Sequence, residues 1–132
     1  MNAPKPDWHV AAAALQADGR MFIGGRRLHA QAGETFDSLS PIDGRNLGPV
    51  ARGRGADIDL AVASARAAFD DGRWARKAPA ARKKVLQRFA DKILAARDEL
   101  ALLETLDMGK PIQYSLAVDV GATARCIAWP LR

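Results

Sequence analysis

The chain has 132 residues, 48% of them hydrophobic and 27% charged, the balance of one ordinary globular domain; wholesale disorder, a fibrous repeat and a second independent core are excluded. The 20 basic residues outnumber the 15 acidic ones and leave a net charge of +5, so a nucleic-acid partner has to be tested by where the charges sit. The single cysteine, Cys126, excludes an internal disulfide framework and fits a reducing compartment, and with two histidines it completes no tetrahedral zinc site unless carboxylates join.

In chain order, residues 1–7 carry two prolines and opposing charges and are expected to form a flexible lead-in. Residues 8–55 are expected to hold a short helix and β segments. Val10 to Ala17 is alanine-rich and helical, and Asp18-Gly19 ends it. Met21-Phe22-Ile23, Gly24-Gly25 and Arg26-Arg27-Leu28-His29 predict a β-hairpin, because paired glycines supply the positive φ of a tight turn. Thr35 to Leu39 predicts a strand, Ser40-Pro41-Ile42-Asp43-Gly44 a turn, and Leu47 to Ala51 a further strand that Pro49 marks as edge or bulged.

From 56 to 132 the pattern is helical. Ile58, Ala61, Val62, Ala65 and Phe69 recur at helical spacing behind Asp57, which is read as the N-cap, and Asp71-Gly72 ends the helix. Pro79 opens the next, with Val85, Leu86, Phe89 and Ile93 as its apolar stripe. After an interruption at Arg97-Asp98, Leu100, Leu103 and Leu106 are expected in a more buried helix that stops at Gly109-Lys110-Pro111. A last helix, Ile112 to Trp129, carries Leu116, Val120 and Ile127 on one side. No run is apolar enough for a signal peptide or a membrane span, so a cytoplasmic location without membrane contact is expected.

The segment Leu103-Glu104-Thr105-Leu106-Asp107-Met108-Gly109-Lys110-Pro111 resembles the amino-terminal part of the aldehyde dehydrogenase superfamily. Met21 to Gly25 resembles that family's opening hairpin, Ser40 to Gly44 its strand-turn signature, and Ala56 to Phe69 its first long helix, in matching order and spacing. The resemblance runs from about Trp8 to Trp129. Pro111 to Leu116 and the Cys126-Ile127-Ala128-Trp129 tail look closest to the branch acting on amino-aldehydes such as gamma-glutamyl-gamma-aminobutyraldehyde.

The resemblance implies an α/β parent fold with a Rossmann-type cofactor domain. This chain would be a single partial domain of it, a β-hairpin and strand region followed mainly by α-helices. In the family a cysteine thiolate attacks the aldehyde, amide donors hold the oxyanion, hydride passes to NAD or NADP, and a glutamate activates water. The resemblance puts all of these downstream of this segment, so no catalytic or cofactor-binding residue is assigned and the chain alone is expected to be inactive and to bind no dinucleotide. Pro130-Leu131-Arg132 departs from the family pattern, and a stop, a frameshift or a gene boundary would each explain it. The helices would be shaped to lie on a sheet outside the chain, so self-association or homo-oligomer formation through exposed apolar faces is expected.

Four chemical candidates remain. The resemblance implies a monovalent cation site at the carbonyls of Ser38 and Leu39 and the carboxylate of Asp107, oxygen donors that suit a hard ion; the alternative is that Asp107 only caps or hydrogen-bonds near Gly109. Gly53-Arg54-Gly55 begins like a phosphate-binding loop, but Ile58 stands where the third glycine belongs, and a plain strand-to-helix connection is expected. Cys126 lies in an apolar stretch beside Arg125 and is expected to be a packed core thiol rather than a nucleophile. Arg73, Arg76, Lys77, Arg82, Lys83, Lys84, Arg88, Lys92 and Arg97 face a single acid, Asp91; this is read as a solvated helix face, with nucleic acid kept as the rival partner. A stand-alone module docking on a full-length relative is the other rival. His9 and His29 are isolated and read as surface residues.

Overall fold

The computed structural model describes residues 6–128. Most of the expected lead-in, the Trp129 end of the last helix and the Pro130-Leu131-Arg132 tail lie outside the described residues.

Asp7 starts the first helix, α1 (Trp8–Ala14), by accepting the N–H groups of His9 at 3.0 Å and Val10 at 3.2 Å. The helix therefore begins and ends earlier than the alanine run suggests, and Leu15 is already extended. Strands β1 (Met21–Ile23) and β2 (Arg26–Leu28) form the expected hairpin, with Gly24 and Gly25 at φ of +59° and +79°. Asp18 braces it by pairing with both Arg20 and Arg27, and the Arg20 guanidinium holds its carboxyl well below the usual carboxylate range.

Strands β3 (Thr35–Leu39) and β4 (Asn46–Ala51) form a separate antiparallel ribbon. Its register slips between Ser38, opposite Gly48, and Leu39, opposite Asn46, so Leu47 is the extra residue of a bulge next to Pro49. The chain entering β1 runs along the edge of β4, where the Ala51 N–H donates to the Gly19 carbonyl at 2.8 Å. A Cβ on Gly19 would fall 2.1 Å from the Pro49 carbonyl oxygen, so only glycine permits this approach.

Helix α2 (Gly55–Asp70) turns an unexpected face inward. Ala61, Ser64 and Ala68 are its half-buried row, and Ser64 lies close to Gly24 of the hairpin. Of the apolar residues that recur at helical spacing, Ile58, Val62 and Phe69 are 60%, 59% and 63% exposed. Small side chains let the helix sit close to β1, and the larger ones find no apolar surface within these residues to bury against.

Helix α3 (Pro79–Ala95) starts at Pro79 as expected and packs along α6 (Val120–Ala128) and α4 (Arg97–Met108). Leu86, Ala90 and Ile93 face inward, whereas Val85 and Phe89, predicted in the same stripe, are exposed. The α3–α4 break falls at Ala96 (φ −96°, ψ 18°). In α4 the sealed residues are Ala101, Leu102 and Leu106; Leu103 is half-buried and Leu100 is exposed, a shift of the buried row away from Leu100. Ala90, Ala101 and Ala124 are all buried, and their small side chains let the three helices approach closely.

Gly109, at φ +77°, ends α4 as expected. The predicted last helix is instead a short α5 (Ile112–Tyr114), a wide π-helical turn (Ser115–Asp119) and α6. Val120 and Ala124 are its buried pair, with Leu116 and Ile127 half-buried. Short strand pairs followed by helices make the α/β segment anticipated from the sequence. No described helix is long and apolar enough to cross a membrane.

Burial separates the two apolar rows energetically. Leu106→Ala should lower the unfolding free energy by about 2–5 kcal/mol in urea titrations. Ile58→Ala should change it by no more than about 0.5 kcal/mol.

Candidate functional site

The bulge in β4, α1 and the C-terminal half of α4 enclose a cleft of about 440 Å³. Its apolar walls include Ala12, Leu15, Leu47, Val50, Leu103 and Leu106, and Ser38, Glu104 and Asp107 stand among its polar groups. The Ser38 hydroxyl donates to Asp107 Oδ1 at 3.0 Å, joining β3 to the end of α4 across 69 positions of sequence. Two of the three residues singled out for a cation thus meet through their side chains. Leu39, beyond the register slip, is not among the cleft's lining residues and has an exposed side chain. Among the described residues no three acidic, histidine or cysteine side chains converge as a metal-binding group. Any cation here would depend on main-chain carbonyls.

Beside the cleft, Lys110 forms an ion pair with Asp119 and lies 3.9 Å from Glu104. All three are about one-third exposed, and Asp119 raises the Lys110 pKa above its ordinary 10.5. Spacing alone did not reveal this cluster, because Lys110 is only the residue after a helix stop and Asp119 only a polar interruption in an apolar run.

The Gly53-Arg54-Gly55 connection carries a carboxylate of its own. Arg54, not Asp57, is the N-cap of α2; Asp57 sits three residues in and reaches back to accept the Arg54 N–H at 2.8 Å. Its other oxygen accepts the Gln31 N–H at 2.9 Å, which ties the stretch after β2 to the start of α2. Asp57 is only 1% exposed. These two N–H groups, Arg54 first, hold its carboxyl below the usual range. The sequence signal was the N3 carboxylate spacing, legible as a reach-back contact as easily as a cap.

The basic run is less uniform than its sequence suggests. Arg73 pairs with Asp71, Arg76 donates to the Asp70 carbonyl at 2.9 Å, and Arg97 donates to the Leu116 carbonyl at 3.1 Å. These three cations meet groups at the end of α2 and in the π-helical turn, so Asp91 is not the only acid they face. Cys126 is exposed, not packed: it lies about 120° around α6 from Val120, away from the buried side. His9 and His29 are exposed, as expected.

Residues 28–131 match the aldehyde dehydrogenase family. The NADP/NAD-dependent aldehyde dehydrogenase PuuC of Escherichia coli K12 is 44% identical over 122 residues, 92% of this chain and 25% of its own length. The crystal structure of gamma-glutamyl-gamma-aminobutyraldehyde dehydrogenase from Burkholderia cenocepacia is 52% identical with a TM-score of 0.92, across 93% of this chain and 25% of that one. A P. syringae indole-3-acetaldehyde dehydrogenase mutant in complex with NAD+ and IAA matches at 53% identity and a TM-score of 0.92, again over 93% and 25%. The chain spans about a fifth to a quarter of the length of the curated relatives it matches.

Asp57 should leave an acid-limb signature. Because its folded pKa is depressed, its stabilisation is complete above the unfolded carboxyl value of about 4 and is lost as pH falls through the folded value. Thermal melts at pH 7 and pH 3 should therefore converge for Asp57→Asn relative to the wild type, with the variant less stable at pH 7.

Proposed function

Because the chain belongs to the aldehyde dehydrogenase family, we propose that it supplies the amino-terminal part of the cofactor domain to a protein that oxidises an aldehyde to a carboxylic acid. Likeness throughout almost the whole chain to enzymes of that activity carries the reading. Amino-aldehydes are the substrate class it favours, on the strength of the relative named for gamma-glutamyl-gamma-aminobutyraldehyde. NAD or NADP, when bound, accepts the hydride, and water supplies the second carboxyl oxygen.

The contribution of this chain is scaffolding. Asp57 joins the start of α2 to the stretch after β2, and the Ser38–Asp107 hydrogen bond joins the strand ribbon to α4 and through it to the helices. In its glycine-rich connection the Arg54 N–H is already taken by Asp57, so we place dinucleotide binding in parts of the protein outside these 132 residues. The exposed rows Ile58/Val62/Phe69 and Val85/Phe89 are the faces on which the remainder of the domain, or another copy of the chain, packs. The Ser38 and Leu39 carbonyls and the Asp107 carboxylate are the proposed holders of a monovalent cation, with the Ser38 hydroxyl orienting the carboxylate. The cytoplasm is the compartment that fits a lone cysteine.

A chimera tests the reading. With this chain replacing the matching quarter of PuuC, NAD(P)-dependent oxidation of an amino-aldehyde should persist, whereas the 132-residue chain alone should give no turnover. A folded chimera with no activity, or turnover by the purified chain, would overturn it. Adding Na+ or K+ should raise the melting temperature of the chimera, and Asp107→Asn should abolish that rise.

A further inference from the structure

The turn Ser115–Asp119 is wider than the helices around it: the Val120 N–H donates to the Ser115 carbonyl, five residues back. When i→i+5 bonding returns to i→i+4, one carbonyl is left without a main-chain donor and has to find another partner or reach water. Here the Leu116 carbonyl takes the Nε–H of Arg97 at 3.1 Å, from the first residue of α4. Thr105, further along α4, places its hydroxyl 3.3 Å from that of Ser115, which is fully buried. Lys110, just past the end of α4, pairs with Asp119 at the other end of the turn.

Three side chains of α4 and its exit loop thus reach three successive parts of one irregular turn. Each contact satisfies a different group: a carbonyl, a buried hydroxyl and a half-buried carboxylate. We propose that Arg97, Thr105 and Lys110 form a clamp that keeps this turn wide, and that releasing the clamp lets the segment revert to an ordinary α-helix. The wide turn holds one residue more than the helix it interrupts. Closing it moves the chain between Ile112 and Asp119 by one position relative to α6, a rotation of about 100°. Tyr114 and Val118, now half-exposed on the outer side, would turn away from their present direction. The clamp therefore decides which side chains of this segment face outward.

Lys110 is the member that pairs with acids, Asp119 on the turn and Glu104 on α4, whereas the Arg97 guanidinium donates to a main-chain carbonyl. Removing its charge leaves both without a cation, whereas losing Arg97 leaves the Leu116 carbonyl without its side-chain donor. Either change should weaken the turn, and the two together more so.

The test is backbone amide NMR with hydrogen exchange on the 132-residue chain, comparing wild type, Arg97→Met, Lys110→Met, the double variant, and a variant lacking Ala117. The deletion removes one residue from the turn and provides the reference spectrum for a regular helix. In the double variant the amides from Ser115 to Gly121 should move toward the positions seen in the deletion variant, and protection of Val120 should fall about fivefold or more. Lys110→Arg, which keeps the charge, should retain the wild-type pattern. If the double variant keeps the wild-type shifts and protection across the turn, the main chain holds it open by itself and the clamp does not exist. Should the double variant fail to fold, the two single variants decide on the same readout.

Discussion

The structure depends on α4 being buried from two sides. Ala101, Leu102 and Leu106 are sealed inside it, and α1, α3, α5, the π-helical turn and α6 all pack on it. From its last turn Asp107 reaches the ribbon at Ser38. Such a helix uses more than one stripe, which is why its apolar residues run nearly around the axis and why its ends need specific stops. Gly109 supplies the left-handed stop, and Arg97 at the other end is committed to a main-chain carbonyl of the turn opposite. The polar contacts at its rim add direction to a packing that apolar burial alone leaves free to slide.

Around that helix the chain is asymmetric. One side is closed by alanines at near contact, whereas α2 and the flank of α3 carry large apolar side chains in the open. Isolated exposed hydrophobic residues are ordinary, but Ile58, Val62 and Phe69 form a row at helical spacing that the described residues leave uncovered. This is the physical counterpart of spanning about a quarter of the matched relatives. The helices carry the amphipathic pattern of layers on a sheet, and the described residues contain only two-stranded pairs.

The same logic separates structural from chemical roles among the charged residues. Asp57 is buried, each of its oxygens accepts a main-chain N–H, and the carboxylate thereby organises a helix start. At the end of α2, where carbonyls lack intrahelical donors, Arg76 donates to the Asp70 carbonyl and Arg73 pairs with the Asp71 carboxylate. Part of the basic run, Arg73, Arg76 and Arg97, thus serves local contacts that composition alone does not reveal.

Much of this was determined by the sequence itself. Gly24-Gly25 sets the hairpin, Pro79 a helix start, and Gly72 and Gly109 helix stops, because steric limits on φ act within a few residues and need no distant partner. The family was legible for a related reason, since four such local signatures fall in one order. Only the tertiary structure decided which face of each helix is buried, that Cys126 lies outside, and that Ser38 meets Asp107 while Lys110 meets Asp119. A periodic pattern shows that a helix has an apolar side, but α2 and α3 each carry two. Which one is covered depends on what the rest of the chain brings against it, and an inserted residue such as that in the π-helical turn resets the phase of everything that follows.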